Sequence, residues 1–332
     1  MIHKAQFPDD VVNHTQYGPL AKTLATYFCQ YQLIPFERSQ EIFSDIFGLG
    51  LCKGTVFNHI NKGADHLLPF RDWAVENLIN SKLNYADETT TQVEKSRHHL
   101  HVVSSDKTTL LDVYKSRGIE AVEAMGVLKH YKGRLVHDCY SMYFGYPCKD
   151  VICNTHLERE LNYFADREKY KWAKDMEFFL QNLYKTTKEL EEKGRKKRSY
   201  KEYKNIEKNF NKILSAAKKE CRELINKKGR KQEPVVNLFL RMKKHKKAIL
   251  LFSKDFSVPY TNNQAERDLR MSKVHLKISG CFRSYQMAKN WSLYRSYIST
   301  LKKRGLSVIE GLKALFDPDI KDPIYSILGD PS

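Results

Sequence analysis

The chain has 332 residues, of which 41% are hydrophobic and 12% aromatic, enough apolar material for one large or two ordinary folded domains and too much for a disordered tail. Its 57 Lys and Arg against 39 Asp and Glu leave a net charge of +18, which disfavours cationic partners and favours a polyanion whose released counterions drive binding. No apolar run reaches the length of a membrane span and no cleavable signal opens the chain, so a soluble, cytoplasmic protein is expected.

In chain order, the apolar spacing from Tyr17 to about Leu83 is helical, with stops at Pro35 and at Gly48–Gly50. Phe36–Ile60 reads as a helix, a glycine-rich turn and a second helix starting near Thr55. That pattern fits a helix-turn-helix and equally a plain helical hairpin. Beyond Asn84 the period shortens. The stretch around Asp87 reads as a strand, and His98–Asp106 and Thr108–Tyr114 read as a strand pair about a polar turn. An amphipathic helix is predicted over Gly118–Tyr131, a buried strand over Gly133–Tyr140, a short strand over Asp150–Asn154 and a helix over Thr155–Ala165. Strands and helices mixed in this way predict an α/β fold with helices covering a mixed sheet.

From Asp166 to Ala248 the rhythm breaks into lysine-rich helix, with interruptions at Gly194–Ser199 and Lys227–Pro234. Between Arg167 and Lys247 there are 27 Lys and Arg against 11 Asp and Glu, +16 of the chain's +18. A solvated helical face and a nucleic-acid contact both fit such a block, and its concentration favours the second. An apolar run at Ala248–Phe252, a polar knot at Pro259–Arg270, a turn near Lys277–Ser284 and two helices, Tyr285–Lys303 and Ser307–Phe316, follow. The expected domains are therefore a helical region over 1–82, an α/β domain over 83–165 plus 249–316, a basic helical insertion over 166–248 and a loosely packed tail over 317–332.

Seven irregularly spaced cysteines are read as reduced. Cys148, Cys153 and His156 lie close in sequence, but no second metal-binding pair completes a zinc set.

Three carboxylates stand out by context. Asp87 lies on the first strand of the α/β region, and Asp138 ends an apolar strand, the end at which open α/β sheets bind ligands. Glu266 lies in the first turn of a helix that Thr261, Asn262 or Asn263 could cap. Taken alone, Glu266 reads as the partner of Arg270 in an i,i+4 ion pair. Taken with Asp87 and Asp138, it completes the strand, strand, helix order of carboxylates that holds divalent ions for phosphodiester chemistry in RNase H-like nucleases.

At these residues the chain resembles the insertion sequence 66 family of DDE transposases. The likeness rests on Gln16–Val56, on the segments Ala86–Glu94 and Gly133–Phe144, on the Cys-x-x-His-x-x-Arg element at Cys153, His156 and Arg159, and on the Asn-Asn-x-x-Glu-Arg element within Thr261–Ser284. It runs from about Gln16 to Phe316 and implies an RNase H-like core with Asp87, Asp138 and Glu266 as the catalytic, metal-binding triad. It also implies Mg²⁺ as cofactor with Mn²⁺ able to substitute, double-stranded DNA (element ends and target) as partner, and a homo-oligomer on DNA near the nucleoid. Asn263, Arg267 and Arg270 would orient Glu266 or meet phosphate, with His156 and Arg159 as supporting candidates. Relatives often carry a zinc-binding module before the matched region, and this chain is expected to begin after it. The expected activity is metal-dependent cleavage and strand transfer of element ends. A silent DNA-binding remnant and a plain nuclease without joining are the alternatives.

Overall fold

The computed structural model describes residues 16–225 and 232–331. Helices α1 (Pro19–Thr26), α2 (Phe36–Phe47), α3 (Lys53–His66) and α4 (Leu68–Ile79) precede strands β1 (Leu83–Val93), β2 (Ser96–Ser104) and β3 (Thr109–Tyr114). Then come α5 (Ile119–Ala124), β4 (Arg134–His137), β5 (Lys149–Ile152) and α6 (Asn154–Asp166). The lysine-rich stretch forms α7 (Lys171–Glu192), α8 (Tyr200–Glu220) and α9 (Pro234–Lys244), followed by the short α10 (Lys246–Ile249) and α11 (Leu251–Lys254). The chain ends with α12 (Asn263–Ser279), α13 (Tyr285–Lys303), α14 (Val308–Ala314) and α15 (Pro323–Leu328).

One five-stranded sheet runs in the order β3-β2-β1-β4-β5, with β2–β3 antiparallel and β1–β4 and β4–β5 parallel. This mixed sheet with flanking helices is compatible with an RNase H-like core, as expected. The turn between β1 and β2 is two residues long, with Glu94 and Lys95 both at positive φ. Such primed turns normally take Asn or Gly, which is why no hairpin signal is legible there.

The chain divides into two compact units along a line that composition does not mark. Among the described residues, one comprises those up to Leu78, Glu88–Arg117 and those from Asp268 on, and the other comprises those of Ile79–Asp87 and Gly118–Arg267. The cut passes through β1 and α12.

In the first unit α13 covers β3, which would otherwise present unpaired backbone donors along a sheet edge. The hydroxyls of Ser296 and Thr300 accept from Leu111 N (2.7 Å) and Thr109 N (3.1 Å). Ser284 caps α13 by accepting from Met287 N, and Gly305 at φ +71° follows its end. Helix α3 comes so close to neighbouring side chains that any residue larger than Gly63 would force a shift there. A Cβ there would lie 2.2 Å from Tyr294 Oη and 2.7 Å from Phe316 Cζ. The predicted loosely packed tail is in fact docked: Ile324 and Leu328 are buried, and Trp73 Nε1 donates to the Gly329 carbonyl at 2.8 Å.

In the second unit the basic helices share a core with the sheet. Val136 and Val151 of the strands, Leu161 of α6, Trp172 of α7, Phe210 of α8 and Phe239 of α9 belong to one buried cluster. Their spacing leaves the lysines on the outer faces, as an amphipathic helix requires. The predicted Gly118–Tyr131 helix is corrected: α5 stops at Ala124, Gly126 takes φ +82°, and Val127, Leu128 and Tyr131 are buried in the turns that follow. Those apolar residues fill a core from turns, which periodicity alone reads as helix. The interruption predicted at Gly194–Ser199 separates α7 from α8, whereas that at Lys227–Pro234 falls largely outside the described residues.

Candidate active site

Asp87, Asp138, Glu266, Cys153, His156 and Arg159 all belong to the second unit. The parallel register Leu83↔Arg134, Asn84↔Leu135, Tyr85↔Val136 ends two residues before Asp87 on β1 and two before Asp138, which directly follows β4, so the two carboxylates lie the same number of residues beyond the last pair. Adjacent strands lie about 4.8 Å apart. Asp138 follows the last residue of β4, where the chain turns sharply. Cys139 takes φ +75°, and Asp138 Oδ1 accepts from Tyr140 N at 2.9 Å. A left-handed non-glycine residue beside a strand-end carboxylate is the kind of local strain that collects at functional sites.

Glu266 reaches this region from the first turn of α12, where the helix dipole favours a carboxylate. The side chain paired with its carboxylate is not that of Arg270 but the His156 imidazole, at 3.9 Å from Nε2 to Oε1, an ion pair only when the ring is protonated. His156 Nδ1 in turn lies 3.2 Å from Cys153 Sγ. Burial pushes the Cys153 thiol up, with the Asn262 amide opposing and Glu266 adding to the shift, so the sulfur stays neutral.

Asn262, passed over at the sequence level in favour of its neighbour Asn263, is fully buried. Its Nδ2 donates to the Ala86 carbonyl at 2.9 Å, its backbone N donates to Cys153 Sγ at 3.1 Å, and its carbonyl accepts from Glu266 N at 3.3 Å. Cys153 N donates to the His137 carbonyl at 2.9 Å. Nearby, Asn154 N donates to the Tyr260 carbonyl at 2.9 Å and Tyr260 Oη donates to Glu158 at 2.5 Å, which pins the segment entering α12 to α6. The only sequence signal for Asn262 was its place in the Asn-Asn pair, and nothing local distinguished the buried member from the exposed one.

The remaining candidates are solvent-facing. Arg159 is exposed on α6, and Asn263 and Arg267 are exposed on α12, as is Arg270 on the part of that helix that belongs to the first unit. The adjacent Glu160 is taken by Arg241 of α9, and Arg241 also lowers the Cys139 thiol, which burial raises to about 11. Phe144, in the loop after Asp138, stacks on His245 at 4.2 Å between ring centroids. The cation-rich end of α9 is thereby held against the loop that follows β4.

As they stand, no three His, Cys, Asp or Glu side chains among the described residues form a metal-holding group. Asp87, Asp138 and Glu266 nonetheless offer a hard divalent ion the oxygen donors it prefers, and bringing like charges together takes such a cation. Asn262 Oδ1, buried beside the Asp87 strand and without a hydrogen-bond partner, adds an unsatisfied oxygen acceptor. In donor chemistry the set fits a divalent ion. A concavity of about 960 Å³ among Tyr17, His59, Lys62 and Lys321 of the first unit contains none of these carboxylates.

Residues 15–290 match the family model described as Transposase IS66 family. A comparison with curated proteins finds no match. Among the described residues no helix is long and apolar enough to cross a membrane.

Proposed function

The chain belongs to the IS66 family of transposases, and on that premise we propose that it cuts the DNA ends of an insertion sequence and joins the freed 3′-hydroxyls to target DNA. The observation that supports this reading most is that Asp87 in β1 and Asp138 directly after β4 belong to one parallel strand pair, with the segment entering the Glu266 helix bonded to Ala86 of β1 and to Cys153 just after β5. On this reading Asp87, Asp138 and Glu266 hold Mg²⁺ or Mn²⁺. Bound divalent ions supply charge neutralisation at the phosphate and activation of the attacking oxygen.

The protein's own residues do the rest. Lysines and arginines of α7–α9 grip the phosphate backbone without reading sequence. Arg267, Asn263 and Arg270, exposed on α12, extend that grip alongside Glu266, while His156 faces the Glu266 carboxylate at 3.9 Å. The strand turn at Cys139 fixes the direction of Asp138.

The test is metal-dependent nicking and joining of a duplex that carries the flanking element end, comparing wild type with Asp138→Ala and Glu266→Ala. Products formed by wild type and lost in both variants, with DNA binding kept, are expected. Equal binding with no product from any of the three proteins would point to occupancy of DNA ends, the function of a repressor. Nicking without joining when a pre-cleaved 3′ end is supplied would reduce the activity to that of a nuclease.

A further inference from the structure

The reading of Asp87, Asp138 and Glu266 as ion-holding carboxylates leaves open what fixes their spacing. They come from three separate elements, and a ligand set built this way works only if its supports hold it within a fraction of an ångström. Each carboxylate has a neighbour in one small buried network. The residue before Asp87, Ala86, offers its carbonyl to Asn262 Nδ2, just beyond the β1–β4 pair of Tyr85 and Val136. The residue before Asp138, His137, offers its carbonyl to Cys153 N. Glu266 N is bonded to the Asn262 carbonyl one helical turn back, and Asn262 N is bonded to Cys153 Sγ. Ala86, His137, Cys153 and Asn262 are all fully buried, so these bonds form in a medium where an unmade partner is costly.

Resting on that reading of the carboxylates, we propose that Asn262 and Cys153 are positioning residues that together set the distances among Asp87, Asp138 and Glu266. Asn262 ties the helix to β1, and Cys153 ties the helix to β4. Remove either tie and the start of α12 is free to shift relative to β1 or β4, while the lysines and arginines of α7–α9 stay where they are. An ordinary core role predicts something else: lost stability with no selective loss of ion binding.

The experiment titrates Mn²⁺ alone into the full chain, followed by electron paramagnetic resonance, with far-ultraviolet circular dichroism and metal-free duplex binding as controls. Asn262→Ala and Cys153→Ala should weaken Mn²⁺ binding by about 10- to 100-fold, the range for outer supports of metal ligands, and leave duplex binding unchanged. Cys153→Ser, whose hydroxyl can still accept from Asn262 N and donate to His156, should bind Mn²⁺ close to wild type. Folded Asn262→Ala and Cys153→Ala proteins with wild-type Mn²⁺ affinity would overturn the proposal. If Asn262→Ala does not fold, the Cys153 serine and alanine pair decides alone: equal affinities for the two overturn it. Glu266→Gln separates the two levels of inference. A wild type that binds Mn²⁺ no better than Glu266→Gln would overturn the carboxylate reading, and this proposal with it.

Discussion

At the scale of single residues, the consequences turn on burial and on close approach. Gly63 sits where a methyl group would strike Tyr294 and Phe316, both of them buried. Gly63→Ala should therefore destabilise the protein by about 1–3 kcal/mol despite better helix propensity, read as a lower urea midpoint at constant slope. Two histidines of the first unit, His101 buried and His275 half-buried, respond to acid. Burial holds His101 at about 4, against a small upward pull from the Ser116 carbonyl, and holds His275 at about 4, with Arg295 adding to the fall. Both stay neutral in the folded state while the unfolded chain binds protons near 6.5. Their contribution is therefore complete above pH 6.5 and is lost as pH falls from there toward 4, by roughly 3 kcal/mol each at most. Melting temperatures at pH 7, 5.5 and 4.5 should fall accordingly. His275→Phe, which keeps the stack on Phe282 at 4.2 Å, should flatten part of that fall.

At the scale of elements, the start of α8 shows how a basic helix is held in place. Ser199 and Glu202 form a capping box, with Glu202 N donating to Ser199 Oγ and Ser199 N donating to Glu202 Oε2, and Arg195 adds two hydrogen bonds to the same carboxylate. Those bonds, Arg195 first, hold Glu202 well below the usual carboxylate range. Ser199→Ala should cost about 1 kcal/mol of stability and leave duplex binding unchanged, since the lysines of α8 remain. The strand ends behave differently. Legible from sequence were the strand carrying Asp87, the abrupt polar end of the strand carrying Asp138, and the helical setting of Glu266. Hidden from it were the parallel pairing of β1 with β4 and the His156 ring beside Glu266 where Arg270 was expected, because pairing across elements leaves no mark in local periodicity.

At the scale of the whole molecule, charge is the dominant feature. With +16 of the net +18 between Arg167 and Lys247, duplex binding should weaken steeply with salt. Replacing Lys243, Lys244 and Lys247 by Gln should lower the slope of log affinity against log salt by about 0.9 for each phosphate contact removed, equally for all sequences. An unchanged slope would place the DNA track elsewhere. Sequence-independent binding of this kind would bring the chain to DNA but leave the choice of ends to other contacts.

By itself the sequence determined the mixed α/β class, the order of strands and helices, the helical character of the basic stretch and the family. Each of these is written in local periods, in charge composition or in short ordered motifs. Only the tertiary structure decided where α5 stops, that the tail docks through Trp73 and Asn77, and that the division into units runs through β1 and α12. It also decided that Asn262, not Asn263, is the buried member of its pair. The reason is physical. A buried amide earns its place by the partners it meets across the chain, here Ala86 and Cys153, and those partners lie 176 and 109 residues away, far beyond the reach of any local pattern.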